Sequence, residues 1–79
     1  MSNLLAQAYL IERYGLRLNI EHLAEVLGMS AGAVRNQISE DRFPIPTYVD
    51  QGKRFADHRD VAEYLDQVRE RAKSTRAPA

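Results

Sequence analysis

Cysteine is absent from this sequence of 79 residues, so neither a disulfide nor a thiolate metal site can form. The lack of thiols suits a reducing compartment, and a cytoplasmic protein is expected. No run of about 18 apolar residues occurs, so no helix is expected to span a membrane. The first stretch, MSNLLAQAYLIERYG, is partly apolar but has no basic leader and carries Glu12. It reads as a helix and not as a signal peptide. An excess of positive charge is also missing: 11 Lys and Arg balance 11 Asp and Glu. Bulk, non-specific binding to nucleic acid needs a strong positive field, which this chain lacks. Binding through a local patch stays open. There is no phosphate-cradling glycine loop, no metal-ligand cluster, and no nucleophile arranged beside His22 or His58. Spacing puts His22 on the exposed side of its helix, and His58 follows a helix cap. No catalytic residue, cofactor or metal site is therefore expected.

Internal repeats and low-complexity segments are absent too, and the length suits one domain. The expected domain covers residues 1–73, with a small, polar and disordered tail over 74–79. Charge is spread unevenly. Arg69, Arg71, Lys73 and Arg76 crowd the C-terminal end against Glu70 alone.

What the chain does contain is helical periodicity. The stretch SNLLAQAYLIERYG predicts a first helix, with Leu4, Leu5, Ala8 and Ile11 as its inward face, Ser2 capping its start and Gly15 its end. LRLN is too short for a helix and reads as a brief extended segment. NIEHLAEVLG predicts a second helix, capped by Asn19, packed through Ile20, Leu23, Ala24 and Leu27, and stopped by Gly28. AGAVRNQISE predicts a third, capped by Ser30 and anchored by Val34 and Ile38. That helix is expected to end before RFPIP, because Pro44 drives Phe43 out of the α region. HRDVAEYLDQVRERAK predicts a last helix, capped by Asp57. Its buried stripe is Val61, Leu65, Val68 and Ala72, with Tyr64 beside it.

The segment from Ile20 to Ile38 has the form of a helix-turn-helix. Ala24 permits close helix approach, Gly28 makes the turn, Met29 plugs the gap and Val34 anchors the second helix. Such a second helix lays its N-terminal residues against base edges in the major groove. Its candidate DNA-binding residues are Ser30, Ala31, Gly32, Arg35, Asn36, Gln37 and Ser39. Arg35 can donate to guanine or phosphate, and Asn36 and Gln37 can pair with adenine edges. Ser30 and Ser39 can reach phosphates. Gly32, inside a helix, costs up to about 1 kcal/mol relative to alanine, which suggests that something approaches closely there.

TYVDQGKRFAD then predicts a β-hairpin around Gln51-Gly52. Pro44 and Pro46 stiffen its approach. A lone hairpin is not stable in water, so it must pack on the helices, through Ile45, Val49 and Phe55. Lys53 and Arg54 are expected at its outward tip. Placed after a helix-turn-helix, this hairpin is a wing whose tip touches the phosphate backbone or the minor groove. The expected fold class is mainly α with a small β-hairpin, a winged helix-turn-helix with an added N-terminal helix.

The order of these parts resembles the small winged-helix proteins of the excisionase, AlpA and MerR-like group. The resemblance rests on Leu23, Ala24, Leu27, Gly28, Ser30, Val34, Phe43, Pro44, Pro46, Gly52, Arg54, Asp60, Val61, Tyr64 and Leu65, and covers about residues 18–66. The chain is also similar to pyocin activator proteins in Ile45, Pro46, Thr47 and the run from Tyr64 to Lys73. Two positions depart from the excisionase pattern: Ala33 stands where threonine is usual, and Gln37 where an aromatic is usual. The phosphate contact of that threonine is accordingly absent. The resemblance implies a DNA-binding accessory factor of a phage or other mobile element. As an excisionase, or recombination directionality factor, it would bend attachment-site DNA for an integrase, a tyrosine recombinase. It would bind double-stranded DNA and would also regulate transcription; the uneven charge, by itself, suggests a homo-oligomer joined head to tail along tandem sites, acidic N-terminal part to basic C-terminal helix. Two other readings stand beside it: a transcription regulator of the pyocin-activator kind, and a protein-interaction adaptor that does not bind DNA.

Overall fold

Asn19 shows how this chain starts its elements. In the computed structural model, which describes residues 3–75, its side chain accepts the His22 N–H at 2.9 Å. His22 Nδ1 in turn accepts the Asn19 N–H at 3.3 Å. This reciprocal cap satisfies two of the orphan donors of a helix start. It begins α2 (Ile20–Leu27). His22 is thus half-buried rather than exposed, and its ring lies 4.9 Å from that of Tyr14.

Before α2 come α1 (Leu4–Tyr14) and a two-residue strand, β1 (Arg17–Leu18). After it come α3 (Ala31–Ser39), the hairpin strands β2 (Tyr48–Asp50) and β3 (Lys53–Asp57), and α4 (His58–Thr75). The described residues form a mostly helical fold with four helices and one three-stranded antiparallel sheet, ordered β1-β3-β2. Among them, no helix is long and apolar enough to cross a membrane.

The extended segment at Arg17–Leu18 is an edge strand of that sheet. Arg17 pairs with Asp57 and Leu18 with Ala56. On the other edge Tyr48, Val49 and Asp50 pair with Phe55, Arg54 and Lys53. The core lies between this sheet and the helices. Leu10, Leu18, Leu23, Ala24, Val34, Ile45, Ala56, Val61 and Ala62 are buried there. Met29, Ile38, Phe43, Tyr64 and Leu65 close over them.

Three expectations of packing change. First, α1 buries Leu10 and packs Ala6 and Tyr14 against the core, while Leu4, Leu5, Ala8 and Ile11 face outward. The first turns of α1 are apolar on both sides, so periodicity could not choose between them. Second, Ile45 is buried as expected but Val49 is exposed, and Ala56 anchors the hairpin in its place. Third, the stripe of α4 is buried only at Val61 and Ala62 and half-buried at Leu65; Val68 and Ala72 are exposed. The helix outruns the body it packs on, in a fold 49 Å long but 17 Å thin. Helix α3 ends at Ser39, before RFPIP as expected. Asp41 takes a left-handed φ of 58°. The Arg42 N–H bonds the Gln37 carbonyl at 2.8 Å and the Asp41 N–H the Ile38 carbonyl at 3.0 Å. This double closure stops a helix without help from proline. Helix α4 includes Ser74 and Thr75 of the expected tail; residues 76–79 and the expected cap Ser2 lie outside the described residues.

The join between β3 and α4 is held twice. The backbone N–H of His58 donates to the Leu16 carbonyl at 3.1 Å, and its Nδ1 meets the same oxygen at 2.8 Å. Beside it, Asp57 caps α4 by accepting the Arg59 N–H at 2.8 Å and two guanidinium bonds at 2.9 and 3.0 Å.

Replacing His58 by alanine should cost about 2 kcal/mol in chemical denaturation, because a buried ring and a hydrogen bond are lost together. An asparagine, which can still donate, should recover part of it. The Arg59 guanidinium holds the Asp57 carboxyl down, from 3.8 to about 2. The unfolded chain therefore takes up this proton first. The stabilisation is complete well above pH 3.8 and is lost as pH falls toward 2. An acid titration followed by circular dichroism should show Asp57→Asn lacking this component, on the order of 1 kcal/mol after solvent screening.

Candidate nucleic-acid interface

Helix α3 buries Val34 fully and half-buries Ala31 and Ile38. That inward stripe places Gly32, Arg35, Asn36 and Ser39 together on the outward face, at spacings of three and four. All four are exposed. With Ala33 they line an open, shallow depression of about 540 Å³. The side chains of Asn36 and Ser39 have no hydrogen-bond partner among the described residues. Arg35 makes one loose ion pair, to Glu21 at 3.8 Å, with both side chains more than half exposed. Such a pair is worth little in water, so Arg35 can leave it for a ligand.

The expected site residues of this helix do not all share that face. Ala31 turns inward and packs against the buried cluster, so its side chain belongs to the core. Gln37 sits on the flank, half-buried. Ser30 is exposed at the helix start, and its Oγ accepts the Ala33 N–H at 3.0 Å. The hydroxyl proton remains available for a phosphate oxygen.

Gly32 has no reason within the chain to be glycine. A Cβ built there would meet only Ser30 Oγ, at 3.9 Å. Anything that approaches this position closely comes from outside the described residues.

The hairpin supplies the second part of the face. Gln51 and Gly52 have φ of 53° and 81°, a two-residue turn whose twist suits the flanking strands. Lys53 is exposed next to this turn. Arg54 is not, and the strand period explains why. Residues 54 and 56 share one side of β3, and Ala56 is the one that enters the core. Arg54 follows it inward, half-buried, and donates to Thr47 Oγ1 at 2.8 Å. Both residues line a depression of about 410 Å³ with Ile38, Asp41 and Phe43. The cation expected at the tip therefore lies in the groove between α3 and the hairpin.

No role at the site was expected of Thr47, although the hairpin register brings it diagonal to Arg54 once the turn is set at 51–52. Arg17 was missed for a different reason. Its guanidinium crosses the outer face of the sheet, 4.0 Å above the Phe55 ring, to bond Asp50 at 2.8 Å. The Asp50 bond, with a smaller share from Tyr48, raises the Arg17 pKa further. Arg17 thereby braces β2 from β1, across 33 residues of sequence.

From Ser30 to Phe55 the charge balance is four cations (Arg35, Arg42, Lys53 and Arg54) to three acids (Glu40, Asp41 and Asp50). Arg42 is tied to Glu40 at 2.7 Å. The field of this face is weak, so contact geometry has to supply what charge does not. Among the described residues no group of three or more metal-binding side chains occurs.

Compared with models of protein families, with curated proteins and with solved structures, the chain matches none.

Gly32→Ala should stabilise the folded chain by up to about 1 kcal/mol, read from the denaturation midpoint, since alanine is the better helix residue and has room. If a ligand lies against α3, the same variant should bind it more weakly while folding better. A variant that gained stability and kept full affinity would place the ligand elsewhere.

Proposed function

We propose that this chain is a double-stranded DNA-binding protein of the winged helix-turn-helix kind. Helix α3 enters the major groove and the β2–β3 hairpin acts as the wing. The observation that carries the reading is the outward face of α3. Arg35, Asn36, Ser39 and a glycine with open space form one exposed surface that takes almost no part in holding the fold.

Arg35 has the fork geometry for guanine N7 and O6, and Asn36 the donor and acceptor pair for an adenine edge. Bare Gly32 lets backbone or base come near the helix. Ser30 and Ser39 serve phosphates, and Lys53 serves the backbone beyond the groove. Arg54, held by Thr47, is a pre-ordered cation between helix and wing. It supports both elements and lies within reach of the phosphates that run between them.

The weak charge balance bears on the biological role. A face with few free cations gains little from counterion release. It suits a factor that binds selected sites in more than one copy, and not one that coats DNA. Together with the resemblance carried by Gly28, Ser30, Val34, Pro44, Pro46 and Gly52, this supports an accessory factor of a mobile element. As a recombination directionality factor it bends attachment-site DNA so that a tyrosine recombinase can excise.

Fluorescence anisotropy on duplexes tiling the DNA around the chain's own gene tests the reading. Arg35→Ala and Asn36→Ala should each cost about 1–3 kcal/mol on the preferred duplex and relax specificity at one base pair. Lys53→Ala should weaken all duplexes alike and lower the salt slope by about 1. No binding at any salt concentration would overturn the proposal and leave the adaptor reading. Excision assays with and without the gene separate the recombination role from promoter control.

A further inference from the structure

The outer face of the sheet carries more cations than acids. Alternate residues of a strand share a face, so Lys53, Phe55 and Asp57 of β3 lie together, with their cross-strand partners Asp50, Tyr48 and Arg17 beside them. The two acids, Asp50 and Asp57, have three cations within reach: Arg17, Lys53 and, from the first turn of α4, Arg59. One cation is left over, and geometry decides which.

The register offers two direct pairs, Arg17 with Asp57 and Lys53 with Asp50. Opposite charges at such positions attract each other, yet neither pair forms. Arg59 takes Asp57 with two guanidinium bonds. Arg17 reaches the other way, over the Phe55 ring at 4.0 Å, and bonds Asp50 at 2.8 Å. Lys53 is exposed and has no ion pair among the described residues. A planar guanidinium already laid against a ring loses little freedom when it bonds a carboxylate, whereas a lysine must order a long flexible stem to do the same. Arg17 therefore takes Asp50 in preference to Lys53.

We infer that Arg17 is a positioning residue for the wing: by holding Asp50 it keeps Lys53 unpaired and open to a phosphate. The consequence for DNA rests on the proposed function; the partition of charge stands without it. Between Ser30 and Phe55 cations exceed acids by only one, so a carboxylate turned toward Lys53 would cancel the wing's exposed charge. Arg17 lies outside that stretch and draws Asp50 away from it.

The partition is tested without DNA. A water-soluble carbodiimide activates a carboxylate and joins it to an amine already in contact, with loss of one water. Peptide mapping of Arg17→Ala should show an Asp50–Lys53 amide in up to about fivefold greater yield than in the parent, the shift that an exposed ion pair supports. On the preferred duplex Arg17→Ala should weaken binding and lower the salt slope by about 1, as Lys53→Ala does. The two changes together should cost no more than either alone, because they act through the same amine. Asp50→Asn added to Arg17→Ala should return the slope, and should change the parent far less. A lost brace would not be restored that way, since asparagine beside alanine does not rebuild it. If Arg17→Ala loosens the sheet, as melting curves would show, Arg17→Gln keeps a stem over Phe55 without the charge and carries the same comparisons. Equal amide yields in parent and variant, costs that add, or a slope that Asp50→Asn fails to return would each overturn the inference. Failure to bind any duplex would overturn the proposed function and the wing's part in it, while the amide yields still decide whether Arg17 keeps Asp50 from Lys53.

Discussion

The Leu16 carbonyl oxygen takes two hydrogen bonds from one residue, the backbone and the ring of His58. The bonds join positions 42 residues apart. They fix the place where β3 becomes α4 against the place where α1 gives way to β1. With that junction set, β1 can pair with β3 at Arg17 and Leu18, and Leu18 and Ala56 meet at zero exposure. The hairpin is then no longer a free ribbon. It is two strands of a three-stranded sheet whose central strand is bonded on both sides.

Rigidity of the hairpin matters for the proposed interface, which is made of two parts from different elements. Helix α3 is positioned by Val34, by its Ser30 cap, and by its packing on α2 through the Gly28 turn. The hairpin is positioned by Ala56 beneath it and by Arg17 above it, which spans Phe55 to reach Asp50. Between them Arg54 and Thr47 bond each other. Residues that make the face usable are thus mostly not the residues exposed on it. This follows from the small number of cations available: a site with a weak field needs its few donors held in place.

Much of this was legible because the signals are local. Asn19, Ser30 and Asp57 cap helices with their own side chains, and Gly28 and Gly52 take left-handed turns that few other residues accept. Val34 set the phase of α3, and that phase alone puts Gly32, Arg35, Asn36 and Ser39 on one face. Most of the readings that changed share one trait. Leu4, Leu5 and Ile11 against Leu10, Val49 against Ala56, and Arg54 inward against outward are choices between two faces of an element. Each depends on which neighbour the element meets. A period shows that faces exist and not which one is covered.

The amino-acid sequence by itself determined where elements begin and stop, the turn of the hairpin, and the polar face of α3, because caps, turns and periods act within a few residues. The tertiary structure decided which side of α1 is buried, that Arg17–Leu18 is a strand, and that Arg54 lies in a groove with Thr47 while Lys53 alone stays at the tip. Those outcomes rest on contacts between residues far apart in the chain, such as Leu16 with His58 and Arg17 with Asp50, which form only when the chain closes on itself.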